Sequence, residues 1–388
     1  MGDVSSCPPL TRSSVQAAHE AIKQHIHRTP TITCDTISHL ASTPQSADSL
    51  KGTPFEGRTP AKPQISLFFK CENYQKIGAF KARGAFHALS RLSKEELSKG
   101  VVTHSSGNHA QALALAARTH GIPAHIVMPT ISTPSKIAAT KGYGANVIFS
   151  GSTSDEREAV VADVIRDTGA ILVPPYDHPN IMLGQGTLAL ELEEQAKDFD
   201  ARGLDAVVAP CGGGGMLSGV ATALHGTGIR VFGSEPSFEG ADDAKRGVES
   251  GERVEKVKTL TIADGLRTPL GKIPWTIISD PEKVKGMYSV SEEQIKAAMR
   301  LLLERAKVFV EPSAAVPLAV ILYDEDFRSM VEKEGGEQGW NIGVVLSGGN
   351  TTLEAIAKLF QPASEQQAER QESKLGMDGK KVAENVAG

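Results

Sequence analysis

Apolar residues along this chain come in short β-branched or aliphatic runs that alternate with longer stretches of helical period. VVTHS is followed by GNHAQALALAARTHG, then AHIVMP, SKIAATKGYG, NVIFSG, SDEREAVVADVIRDTG and ILVPP. The short runs have the length and composition of buried strands. The longer ones space their apolar residues three and four apart, and Gly121 and Gly144 stand where such helices would stop. The alternation returns as LDAVVAP, GMLSGVATAL, RVFGSEP, NIGVVLS and TTLEAIAKLF. Strands separated by helices imply crossover connections, so the pattern predicts an α/β fold with a mostly parallel sheet covered on both faces. No short-period repeat points to a solenoid.

Outside this alternation the text changes character. Residues 1–12 read as disordered, after which Ser13 and Ser14 offer N-caps to an amphipathic helix in SVQAAHEAIKQHI. Between residues 42 and 63 Ser, Thr, Pro, Gly and Lys dominate, which predicts an exposed loop or insertion. From about residue 361 the chain is polar and predicts a flexible tail. At 388 residues there is room for two lobes, each with its own core. A net charge of −5 gives no reason to expect nucleic acid or an anionic membrane as partner. No run approaches the ~18 apolar residues of a membrane span, and MGDVSSCPPL lacks the pattern of a signal peptide, so a cytoplasmic protein is expected. The four cysteines, Cys7, Cys34, Cys71 and Cys211, form no C-x-x-C pair and no disulfide framework.

Ligands of doubly wound folds sit beyond the carboxyl ends of the strands, and the most unusual loops fall there. Cys211 is followed by Gly212, Gly213, Gly214 and Gly215, between a strand and a helix opening at Met216. Four glycines expose a row of backbone N–H groups at a helix N-terminus, where a phosphate is the natural guest. The loop lacks the Lys-Ser/Thr ending that would favour a nucleoside triphosphate. Ser105, Ser106, Gly107, Asn108 and His109 form a second strand-to-helix loop, with two hydroxyls and an amide; alone, it could be an ordinary N-cap. LSGGN at 346–350 ends another strand, and CENYQKIGAFKARG at 71–84 carries Lys76 and Lys81.

Taken together these segments resemble the serine racemase and serine/threonine dehydratase family of fold-type II pyridoxal-phosphate (PLP) enzymes. The resemblance runs from about Ser14 to Leu359, on GAFKARGA, VVTHSSGNHAQAL, GQGT, CGGGGMLSG, IADG, EPSAAV and VLSGGN in family order. It implies a tryptophan-synthase-β-like fold of two open twisted, mostly parallel sheets with helices on both faces. A large domain would comprise residues 1–92 and 180–360, and a small one residues 93–179. Lys81, rather than Lys76, would carry the cofactor as a Schiff base and act as base for the α-proton. Phe80 would pack at the cofactor, Asn108 contact its ring hydroxyl, the amides of residues 212–215 hold its phosphate, and Ser347 face its pyridine nitrogen. A serine cannot fully protonate that nitrogen, which leaves a gentler electron sink suited to β-elimination and racemisation.

Racemisation needs a second acid/base on the opposite face of the carbanion. The resemblance gives that role to Ser106, where many threonine dehydratases carry alanine and hydroxyaspartate dehydratases can keep serine. Ser105, His109 and Arg157 would address the substrate, a small amino acid such as serine, threonine or hydroxyaspartate. Tyr176 departs from the mammalian racemases, which place asparagine there. Glu235, the carbonyl of Ala241 and Asp243 match the branch's Mg²⁺ or Ca²⁺ site, although residues 238–240 lengthen that loop. Gln111, Tyr143 and Asn350 match its intersubunit ATP site, whereas Ile77 and the Cys34–Asp35 pair do not, which argues against nucleotide activation. The chain ends soon after TTLEAIAKLF, so a threonine-dehydratase regulatory domain is not expected. The family also implies a homodimer. The expected function is serine racemisation with L-serine and L-threonine elimination; the alternatives are an ammonia-lyase without racemisation, another PLP chemistry such as cysteine synthesis, or a silent PLP-binding protein.

Overall fold

The computed structural model describes residues 4–361, and divides into a unit ending at Asn350 and a second from Thr351 that contains the helix Leu353–Phe360. The expected tail, apart from Gln361, lies outside the described residues. In the first unit ten strands follow one another: β1 (Thr31–Thr33), β2 (Ile65–Cys71), β3 (Val101–His104), β4 (Ala124–Pro129), β5 (Asn146–Ser150), β6 (Ile171–Leu172), β7 (Ala206–Pro210), β8 (Arg230–Pro236), β9 (Gly286–Val290) and β10 (Trp340–Leu346). They form a six-stranded sheet, β1-β2-β10-β7-β8-β9, and a four-stranded sheet, β5-β4-β3-β6. Every pairing is parallel except β1 with β2. β7 and β10 are buried along their whole length, which is why AVVAP and WNIGVVL read as continuous rather than alternating runs.

The helices begin and end where local chemistry dictates. Asn108–His120 and Ser154–Thr168 stop at Gly121 and Gly169, whose φ values of 68° and 71° suit a residue without Cβ. The first helix corrects the expectation. It spans Arg12–Ile22 and its cap is Thr11, whose hydroxyl accepts the Ser14 N–H, so Ser13 and Ser14 lie inside the first turn. Val15, Ala18 and Ile22 form its buried face, and the helix ends there instead of continuing to Ile26. The segment before it is also more ordered than expected: Val4–Ser6 makes a 3₁₀ turn and Leu10 packs on the core.

Residues 42–63 are mostly exposed, as expected, but both ends are tied down. The buried Arg328 guanidinium donates to the carbonyls of Ala41, Thr43 and Ala61, while Glu325 accepts from Gln45 Nε2 and Ala61 N–H. None of the four cysteines is in a disulfide. Among the described residues no helix is long and apolar enough to cross a membrane.

Candidate active site

Four loops at strand carboxyl ends meet in this unit. β2 leads through a short irregular stretch, with Ile77 at φ 63°, to the helix Lys81–Ser90. β10 leads to Ser347 and Gly348; Gly348 bridges Ala79, and the Ser347 carbonyl accepts the Phe80 N–H at 3.1 Å. Lys81 is thereby fixed beside Ser347, and its Nζ lies 5.1 Å from the Phe80 ring centre. The amine donates to the Pro175 carbonyl at 2.7 Å. Burial drives its pKa down to about 8, because a neutral carbonyl cannot offset lost hydration as a carboxylate would. Lys76 instead projects over the Phe86 ring.

The glycine loop follows β7. Its glycines are closely packed: a Cβ would lie 2.9 Å from Leu266 Cα at Gly212, 2.4 Å from the Tyr176 ring at Gly213, 2.3 Å from Leu270 Cδ1 at Gly214 and 3.0 Å from Tyr176 Cα at Gly215. Gly214 also has φ 83°. All four are buried, yet among the described residues no hydrogen bond is donated by their backbone N–H groups. Buried orphan donors at the head of the helix Gly215–Leu224 fit a phosphate. Tyr176 walls this cradle. Its neighbour Asp177 accepts the N–H groups of Lys272 and Ile273, tying the Pro175–Tyr176 segment to the helix Lys272–Ile278.

The four-stranded sheet contributes the loop after β3. Ser105 and Ser106 are half-buried, with the Ser105 hydroxyl accepting the Gly107 N–H. His109 turns inward, and its Nε2 contacts the Val173 carbonyl at 3.0 Å, so that nitrogen carries the proton. Burial, then the nearby Lys81 charge, lowers its pKa to about 3, which keeps the imidazole neutral. Arg157, half-buried in the first turn of Ser154–Thr168, lies near enough for its charge to depress the pKa of His104, which burial already lowers. Tyr176, whose pKa burial raises, feels the same charge weakly.

Sequence reading gave no role to the residue at the junction. Glu311, buried at the N-cap of the helix Pro312–Tyr323, accepts Asn108 Nδ2 at 3.1 Å and the Asn350 N–H at 3.2 Å, while Asn350 Nδ2 donates to Asn108 Oδ1 at 2.8 Å. Burial, then the Asp264 charge, raises its carboxyl pKa to about 7. Asn108 is thus held between the β3 and β10 loops by a group poised between its charge states. The available signal was an acidic residue heading an otherwise apolar helix.

Glu235 and Asp243 lie beside the glycine loop rather than within it, near enough to Cys211 to raise its pKa further after burial. Glu235 accepts the N–H groups of Ala244 and Lys245, and Asp243 accepts that of Leu270, the residue packed against Gly214. Among the described residues neither carboxylate is in an ion pair, and no three His, Cys, Asp or Glu side chains are grouped to hold a metal.

Comparison with known proteins agrees with this geometry. The family model described as pyridoxal-phosphate-dependent enzyme matches residues 50–348. The chain is 41% identical to a serine racemase of Arabidopsis thaliana, covering 90% of this chain and 95% of that protein. It is 38% identical to an L-threo-3-hydroxyaspartate ammonia-lyase of Saccharomyces cerevisiae, covering 90% and 96%. The crystal structure of the serine racemase from Dictyostelium discoideum superposes with a TM-score of 0.75 at 39% identity, covering 88% of this chain and 99% of that one. This chain therefore belongs to the fold-type II pyridoxal-phosphate-dependent enzymes, in the family of serine racemases and serine/threonine dehydratases.

Proposed function

We propose that the protein racemises serine and, from the same site, eliminates the β-hydroxyl of L-serine and L-threonine to give a 2-oxo acid and ammonia. The observation that carries this reading is the desolvated amine of Lys81, held by a neutral carbonyl, with Ser106 half-buried in the loop after β3 of the other sheet. The amides of residues 212–215 would hold the phosphate of pyridoxal phosphate, with Lys81 as its attachment point. Phe80, Asn108 and Ser347 would surround the ring. Bound there, the cofactor supplies an electron sink for the pair left when the α-proton departs. Lys81, with its pKa near 8, takes that proton; Ser106 supplies or removes one on the opposite face; Ser105, His109 and Arg157 orient the substrate, Arg157 by pairing with its carboxylate.

The similarity to a hydroxyaspartate ammonia-lyase favours a second reading, in which racemisation is minor. A panel of L-serine, D-serine, L-threonine and threo-3-hydroxyaspartate, with chiral analysis of products, separates the two. The first reading expects D-serine and pyruvate together from L-serine. Turnover of hydroxyaspartate alone, with no D-serine formed, defeats it.

The domain division at residues 92 and 180, with the four-stranded sheet in the smaller part, belongs to the same reading, as do a cytoplasmic location and a homodimer. A cation site is proposed at Glu235, Asp243 and the Ala241 carbonyl. Each carboxylate keeps acceptor capacity beyond its backbone N–H bonds, and hard oxygen donors suit Mg²⁺ or Ca²⁺. Chelation should lower the melting temperature and Mg²⁺ or Ca²⁺ restore it, since a ligand of the native state stabilises it by mass action. Melting curves unchanged by chelator would leave Glu235 as a helix cap and nothing more.

A further inference from the structure

Lys81 and Arg83 stand two positions apart at the start of one helix, so their side chains leave it about 200° apart. Lys81 faces Pro175, whereas Arg83 is fully buried among charges. Its Nε and Nη2 each donate to Glu72 at 2.7 Å, and its Nη1 and Nη2 to Glu191 at 2.9 and 2.8 Å. Lys70 Nζ completes the cluster on Glu191 at 2.7 Å. Two cations thus meet two carboxylates out of contact with water. Thr29 donates its hydroxyl to Glu72 and accepts from Lys70 at its carbonyl, while Gln195 Oε1 accepts from Lys70 and Thr187 Oγ1 from Arg83 Nη1. A buried ion cluster is a weak source of stability but a demanding one in geometry, because every member must be in place.

The elements it joins are those that bear the candidate site. Lys70 lies on β2 and Glu72 just beyond it, Arg83 opens the Lys81 helix, and Glu191 belongs to the helix Pro179–Ala196. That last helix makes two further contacts through its GQGT segment. Gln185 Oε1 accepts the Gly84 N–H at 3.0 Å, near the start of a helix that has no side-chain cap of its own. A Cβ on Gly184 would lie 2.7 Å from Gly84 Cα, and one on Gly186 would lie 2.5 Å from the carbonyl of Gly219, in the helix opened by the glycine loop. Pro179–Ala196 therefore touches both the helix of Lys81 and the helix of the phosphate cradle, each at glycine-to-glycine distance.

We propose that Arg83 is a positioning residue: through the buried cluster with Glu72, Glu191 and Lys70 it locks the first turn of the Lys81 helix onto Pro179–Ala196, and so sets the spacing between the Lys81 amine and the glycine loop. This rests on the assignment of Lys81 to the cofactor. The cluster's charges cancel, so it holds the lysine without adding net charge near it. The double variant Arg83→Gln/Glu72→Gln keeps that neutrality through Lys70 and Glu191 but removes the fork; Arg83→Lys keeps the charge and loses the fork.

The test compares thermal melting, the rate of cofactor release, and kcat and KM for L-serine in these variants and the wild type, with borohydride fixation to report attachment. Both variants should melt within a few degrees of wild type, release cofactor at least tenfold faster, and lose kcat by up to about 10²-fold, the cost of an ångström-scale misplacement, with KM little changed. Release and kcat at wild-type values in either folded variant would overturn the role of Arg83. Cofactor absent from Lys81 in the wild type would instead defeat the assignment of Lys81 itself.

Discussion

Replacing Lys81 by methionine should abolish turnover while leaving the fold intact. The wild-type protein should be yellow, and borohydride followed by peptide mapping should find the cofactor fixed on Lys81; fixation on Lys76, which lies over Phe86 and away from the glycine loop, would overturn the assignment. Loss of a positioned acid/base alone costs typically ~10²–10⁴-fold, and loss of the attachment point adds to it. The same substitution has a second consequence in the cofactor-free protein. Burial lowers the Lys81 pKa from 10.5 to about 8, so between those values the unfolded chain binds more protons than the folded one. Stability should therefore rise with pH from about 8 to 10.5, by roughly 3 kcal/mol. Below pH 8 the cost of burying the charged amine is fully present. Methionine keeps the stem and removes the charge, so the variant should be more stable than wild type at pH 7 and should lack this rise. Denaturant titrations of both proteins across the range give the difference directly, with other titrating groups cancelling.

The crossover strands were readable because they are buried on both faces: LDAVVAP, RVFGSEP and NIGVVLS announce β7, β8 and β10 without reference to anything distant. β1 and β9 gave no such signal. TIT is too short to show a period, and GMYSV lacks a regular burial alternation at a sheet edge, where neighbours rather than propensity decide the matter. β2 gives no clear signal either, because its apolar run ISLFF stops at Lys70, a residue that becomes buried only through Glu191, some 120 positions away.

The site divides along the same line. Gly212 to Gly215 are conspicuous in sequence because they are consecutive, and the close approaches of Leu266, Tyr176 and Leu270 explain why Gly212, Gly213 and Gly214 carry no side chain. Glu311 was invisible because its role exists only when β10 brings Asn350, and β3 brings Asn108, to the head of its helix. GQGT was visible as a motif without a reason. The reason is steric, and needs Gly84 and Gly219 alongside before it can be stated.

Ser106→Ala carries the other large effect, and a selective one. If Lys81 and Ser106 serve opposite faces, the variant should lose interconversion of L- and D-serine by ~10²–10⁴-fold, the usual contribution of a positioned acid/base. Elimination from L-serine should survive largely intact, since it needs only proton removal on the lysine side and departure of the β-hydroxyl. Elimination from D-serine should fall with racemisation, because its α-proton points towards Ser106. The substitution removes one hydroxyl from a half-buried loop position whose neighbours are held independently, Asn108 by Glu311 and His109 by the Val173 carbonyl, so the loop should keep its shape. Chiral chromatography of serine and a coupled pyruvate assay read the three rates separately. Equal loss of all three would make Ser106 a binding residue. Undiminished racemisation would mean that another group delivers the second proton, and the ammonia-lyase reading would then describe the protein better.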